Sequence, residues 1–73
     1  MALVEDLMAA QLPSPSRRRS IRQDSGASLR DLASEMDVHV MTVLRWETGK
    51  STPRRSHAIA YRELLERLAE VTP

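Results

Sequence analysis

Seventy-three residues with a formal net charge of +1 make one small domain, and a chain of this size buries only ~60% of the surface it exposes when unfolded. There is no cysteine and no Phe, and there is one Trp and one Tyr. That composition excludes a disulfide framework, a thiolate metal site, a cysteine nucleophile and an aromatic stacking platform for single-stranded nucleic acid. It suits a reducing cytoplasm, the expected localisation. No apolar run approaches the ~20 residues of a membrane span, and Met1 to Leu12 carry Glu5 and Asp6 without a leading positive charge, unlike a secretory signal.

Charge is distributed unevenly. Residues 17–55 hold nine basic and five acidic side chains, a local +4, while the first sixteen residues sum to −2 and the last eighteen to −1. A basic middle suits nucleic acid, and a solvated charged face accounts for the counts about as well.

The expected elements follow one another with clear punctuation. Residues 1–13 are read as an arm or short helix, with Leu3, Leu7 and Met8 near helical spacing and Pro13 as a stop. A helix-turn-helix domain is expected over 14–73. Ser14-Pro15 opens its first helix, since Ser caps and Pro fits the first helical position. That helix runs to about Asp24 and closes at Gly26. Ser28-x-x-Asp31 is close to a capping box and starts a helix bearing Leu29, Leu32, Ala33 and Met36. Asp37-Val38 interrupts. His39 caps a helix over about Val40 to Thr48, and Gly49 ends it. A longer helix spans about Arg55 to Val71, with Ala58, Tyr61, Leu64, Leu65 and Leu68 on one face and Ile59 off it. No segment alternates with period two. The fold class is all-α, a compact bundle of four to five helices.

Leu32, Ala33, Val38, Val43 and Trp46 are spaced to meet in one small core between two short helices. Ala33 is small where such helices cross, and Val38 plugs the turn. Val40, Met41, Leu44 and Arg45 fall on the other face of the second helix.

The stretch from Ser28 to Pro53 resembles the helix-turn-helix of the Cro/phage-repressor (XRE-type) family. Its most specific part is Val43-x-x-Trp46-Glu47-x-Gly49-Lys50-x-x-Pro53, preceded by Leu32-Ala33 and Val38. A softer likeness is to short actinobacterial or phage regulators, carried by Trp-Glu-x-Gly, Thr-Pro-Arg and a Tyr-x-x-Leu-Leu helix. The resemblance implies a double-stranded DNA-binding transcriptional regulator whose helix at about 40–48 lies in the major groove. It places His39, Val40, Met41, Leu44 and Arg45 at base-reading positions, Ser28 on a phosphate at a helix N-terminus, and Lys50, Thr52 and Arg55 in a phosphate-contacting loop. Arg54, basic in the same stretch, is expected to hold a phosphate as well. Glu47 matches a position that pairs with an arginine of the first helix, here Arg22, as an architectural pair.

Three positions depart from the family pattern. Leu29 stands where Gln is usual, Asp37 stands where Gly is common in the turn, and Val40, Met41 and Leu44 make the reading face apolar. Those three suit thymine methyls, whereas Arg45 suits guanine. Arg17, Arg18 and Arg19 are read equally as a solvated helix start and as a backbone-contacting arm. His39 and His57 lie eighteen positions apart without clustered ligands, so no metal site is expected. No cofactor, small-molecule ligand or enzymatic activity is expected either. The alternative is a protein-interaction module on the same fold, with Val40, Met41 and Leu44 as its patch. A weak homodimer or a regulator partner is the expected assembly.

Overall fold

The computed structural model describes Leu3 and residues 11–71. The expected arm at 1–13 therefore lies mostly outside the described residues, Met8 with it. Within them are four helices: α1 Pro15–Ser25, α2 Leu29–Met36, α3 Val40–Thr48 and α4 Arg55–Val71. No strand occurs among the described residues.

The boundaries of the first three helices have local chemical causes. The Ser14 hydroxyl accepts from the Arg17 N–H, and Pro15 occupies the first turn of α1. Ser28 and Asp31 close a reciprocal capping box, with Ser28 N donating to Asp31 Oδ2 at 2.8 Å and Asp31 N to Ser28 Oγ at 3.0 Å. The Asp31 carboxylate is held below its ordinary value by the Ser28 N–H and hydroxyl. At α3 the cap is an imidazole: Met41 N donates to His39 Nδ1 at 3.1 Å.

The first three helices end in the same device. Gly26, Asp37 and Gly49 take left-handed backbone angles, with φ of 83°, 56° and 77°. The next residue then folds back, Ala27 N onto Arg22 O, Val38 N onto Ala33 O, and Lys50 N onto Arg45 O. This is the Schellman ending, which satisfies carbonyls that a helix terminus leaves over. Asp37 does with a side chain what the two glycines do without one, because Asp tolerates this region better than most residues.

The core is Ile21 from α1, Leu32, Ala33 and Met36 from α2, Val43 and Trp46 from α3, and Tyr61, Leu64 and Leu65 from α4. Ala58 is buried as well. Helix α1 packs on α3 and α4, while α2 packs on α3 and α4. Val38 packs against the core as the plug of the turn, and Leu12, Leu29, Val40 and Leu68 seal its margins. Trp46 is the centrepiece. Its ring lies 5.0 Å from that of Tyr61 and 5.7 Å from that of His57, both tilted, an arrangement aromatic pairs favour. His57 is thus half-buried against Trp46.

Candidate nucleic-acid interface

Helix α3 divides its nine residues between two tasks. Val43, Trp46 and Glu47 face inward and are buried. Met41 and Arg45 are exposed, and Leu44 is half-buried on the outer side. Val40 is also half-buried, packed against the core margin. Of the apolar positions expected to read bases, Met41 stands out most, at 45% exposure.

A buried charged side chain holds α3 in place. The Glu47 side chain is 2% exposed and that of Arg22 is 11% exposed. Arg22 Nε donates to Glu47 Oε2 at 2.6 Å and Nη2 to Oε1 at 3.0 Å, a bidentate pair. Arg22 Nη1 also donates to the Ala27 carbonyl at 3.0 Å. One guanidinium therefore ties α1, the α1–α2 turn and α3 together.

Arg18 adds a second tie. Its Nε donates to Pro13 O at 2.7 Å and its Nη1 to Trp46 O at 3.1 Å. Its guanidinium lies 6.0 Å from the centre of the Tyr61 ring, within cation–π range. Of the run read equally as a solvated helix start and as a backbone-contacting arm, Arg17 and Arg19 are exposed, whereas Arg18 is half-buried and engaged inside the domain. The helical register is the reason. Arg18, Ile21 and Arg22 stand at i, i+3 and i+4, one face of α1. Since Ile21 is buried, Arg18 shares its side, a signal that was available in the sequence.

The Tyr61 ring is fully buried, and its hydroxyl has no hydrogen-bond partner among the described residues. Burial foremost, then the Glu47 carboxylate, pushes the phenol up to about 12, against the opposing pull of Arg18 and Arg22. Neither this strained group nor the Arg62–Glu66 ion pair on α4 (2.7 Å, spaced i, i+4) was singled out by the sequence reading.

Around α3 stand the remaining candidates. His39 is exposed, and because its Nδ1 accepts from Met41, a neutral ring carries its hydrogen on Nε2 as an outward donor. Ser28, Lys50, Thr52, Arg54 and Arg55 are exposed at the head of α2 and across the α3–α4 loop into α4. An open cleft beside Arg19 is lined by Pro15, Ser16, Ser20, Gln23, Glu47 and Thr48. Among the described residues no group of three or more His, Asp or Glu side chains is placed to hold a metal ion, and no helix is long and apolar enough to cross a membrane.

Two short helices, a tight left-handed turn and a third-position helix with an exposed outer face define a helix-turn-helix domain. The helix-turn-helix family model HTH_3 matches residues 19–71. The chain belongs to this Cro/C1-type, XRE-like family and is a DNA-binding helix-turn-helix regulator. Searches of curated proteins and of solved structures return no significant match.

Proposed function

We propose that the protein is a sequence-preferring transcriptional regulator that docks α3 in the major groove of double-stranded DNA, with the domain beginning at the Ser14 cap. The observation that carries this reading is the split of α3 into a buried anchoring side and an outer side of Met41, Leu44 and Arg45. Arg45 reaches a guanine through its fork of donors, as this side chain does elsewhere. His39 offers its Nε2–H at the start of the helix. Val40 contributes only its outer edge, since the rest meets the core. Lys50, Thr52, Arg54 and Arg55 lie along phosphates after α3, and Arg17 and Arg19 extend the basic surface on α1. Ser28 sets the head of α2 at a phosphate, where a helix N-terminus favours an anion. Arg18 and Arg22 act indirectly, by fixing α3.

A palindromic site is gripped by two such domains, so we take a weak homodimer formed on DNA, or a second regulator, as the assembly. Occlusion or recruitment at a promoter follows from such docking. The exposure of Met41 favours one rival, a protein-docking surface on the same fold. A bare apolar patch of that kind self-associates as concentration rises without DNA.

Titration into labelled duplex at two salt concentrations tests the reading. Binding that falls steeply with salt is expected, since each phosphate contact releases a counterion. A folded, helical protein that binds no duplex at low salt overturns it and leaves the docking surface. Within the DNA reading, Arg45→Ala weakens binding and flattens the ranking of target sequences. An unchanged ranking removes Arg45 from its assigned role.

A further inference from the structure

The outer side of α3 joins one charged reader to two apolar ones. Met41, Leu44 and Arg45 stand at i, i+3 and i+4, neighbours on a helix surface. Met41 is 45% exposed although the core takes Val43 and Trp46 from the same helix, so its thioether is not core filling. A thioether and an isobutyl group make no useful hydrogen bond to a base edge. The apolar feature that a major groove does present is the methyl on C5 of thymine. 5-Methylcytosine carries a methyl on the same ring carbon. The guanidinium beside these two side chains suits the O6 and N7 of guanine.

We propose, resting on the DNA-binding reading above, that α3 recognises a 5-methylpyrimidine next to a guanine. Met41 and Leu44 cover the 5-methyl group, Arg45 takes the guanine, and thymine and 5-methylcytosine are both accepted in the methyl-bearing place. The charge around the patch favours nucleic acid over a protein occupant: Arg45 lies within it, Lys50 and Arg54 follow directly, and residues 17–55 carry a local +4. Covering one methyl group is worth about fourfold in affinity.

The test starts from the duplex that the full chain selects out of a random-sequence library. Each thymine of that duplex is replaced in turn by uracil, which removes the methyl and leaves every hydrogen-bonding edge in place. At the sensitive position, cytosine·guanine with and without the 5-methyl group is then compared. We expect uracil beside a guanine to weaken binding about fourfold, and methylated cytosine to bind more tightly than cytosine by a similar factor. Both effects shrink in Met41→Ser and Leu44→Ser, whose folding is checked by circular dichroism. Lys50→Ala weakens all duplexes and keeps the ratios. Equal binding of thymine and uracil duplexes overturns this inference and leaves DNA binding standing. So does a methyl effect that survives both serine variants. If no duplex is selected and none binds at low salt, the DNA reading fails with it, and the apolar patch passes to a protein partner.

Discussion

Replacing Glu47 with Leu isolates the ion pair that seats α3. The substitution keeps most of the side-chain volume and removes both acceptors of Arg22. The guanidinium, with only 11% of its side chain exposed, then faces apolar surroundings. Breaking one half of such a pair costs about 3 to 5 kcal/mol. A domain of some sixty residues has about 3 to 9 kcal/mol of stability in all, so Glu47→Leu brings the fold to the edge. At about 4 to 8 °C per kcal/mol, the Tm falls by at least ~12 °C. The double variant Arg22→Met with Glu47→Leu removes the stranded charge as well. It recovers most of the loss, short of about 1 kcal/mol for the Ala27 carbonyl that Arg22 also serves. Urea and thermal unfolding, followed by circular dichroism and by the fluorescence of the single, buried Trp46, measure all three proteins. A Glu47→Leu variant within 1 kcal/mol of wild type refutes the reasoning, as does a double variant no better than the single one.

Further outcomes follow from other sites. Tyr61→Phe removes a fully buried hydroxyl that lacks a partner among the described residues and raises stability by about 1 kcal/mol; a loss of that size in urea unfolding means the hydroxyl is bonded. Burial holds the folded phenol up at about 12, above its ordinary value, so its contribution to wild-type stability is whole below the ordinary phenol range and is lost as pH rises through the folded value. Tyr61→Phe lacks that alkaline loss. The depressed Asp31 carboxylate works in the opposite direction: its capping contribution is present above the unfolded carboxylate range and disappears as pH falls through the folded value. In acid titrations followed by circular dichroism, Asp31→Asn should lack that component. Asp37→Gly relieves a side chain at φ 56° and stabilises by about 0.5 to 1 kcal/mol in thermal melts. Arg18→Ala lowers Tm, because the Trp46 and Pro13 carbonyls lose their donor. Its salt slope for DNA stays unchanged, whereas Lys50→Ala lowers that slope by about 1 without a fall in Tm.

What was legible in the sequence was governed by local rules. Ser14-Pro15, Ser28-x-x-Asp31, Gly26 and Gly49 fix helix ends within a few residues, and each does so in the structure. Leu32, Ala33, Val43 and Trp46 announced the core through spacing alone. What escaped depended on three-dimensional company. For Arg18 the i, i+3, i+4 register with Ile21 and Arg22 was readable in the sequence, but its partners, the Pro13 and Trp46 carbonyls, appear only in the fold. His57 sits eleven positions after Trp46, so their contact emerges only when α4 folds over α3. That the Tyr61 hydroxyl lacks a partner among the described residues cannot be inferred from an i, i+3, i+7 stripe, which marks the residue as core and says nothing of its polar tip. Val40 was half legible: it lies at the start of α3 as expected, but it is partly buried against the core margin.

Helix α3 resembles an instrument with a fixed mount and an exchangeable tip. The residues that seat it, Val43, Trp46 and Glu47, are distinct from those that project, Met41, Leu44 and Arg45, and the mount is clamped from α1 by two arginines on one face. Under the proposed docking, changes at the three projecting positions rewrite what the helix touches without loosening how it is held. The scaffold is thereby open to retargeting, by evolution or by design, at little cost to folding. Conversely, a change at Arg18 or Arg22 disturbs every target at once, because it moves the whole tip rather than altering any of its contacts.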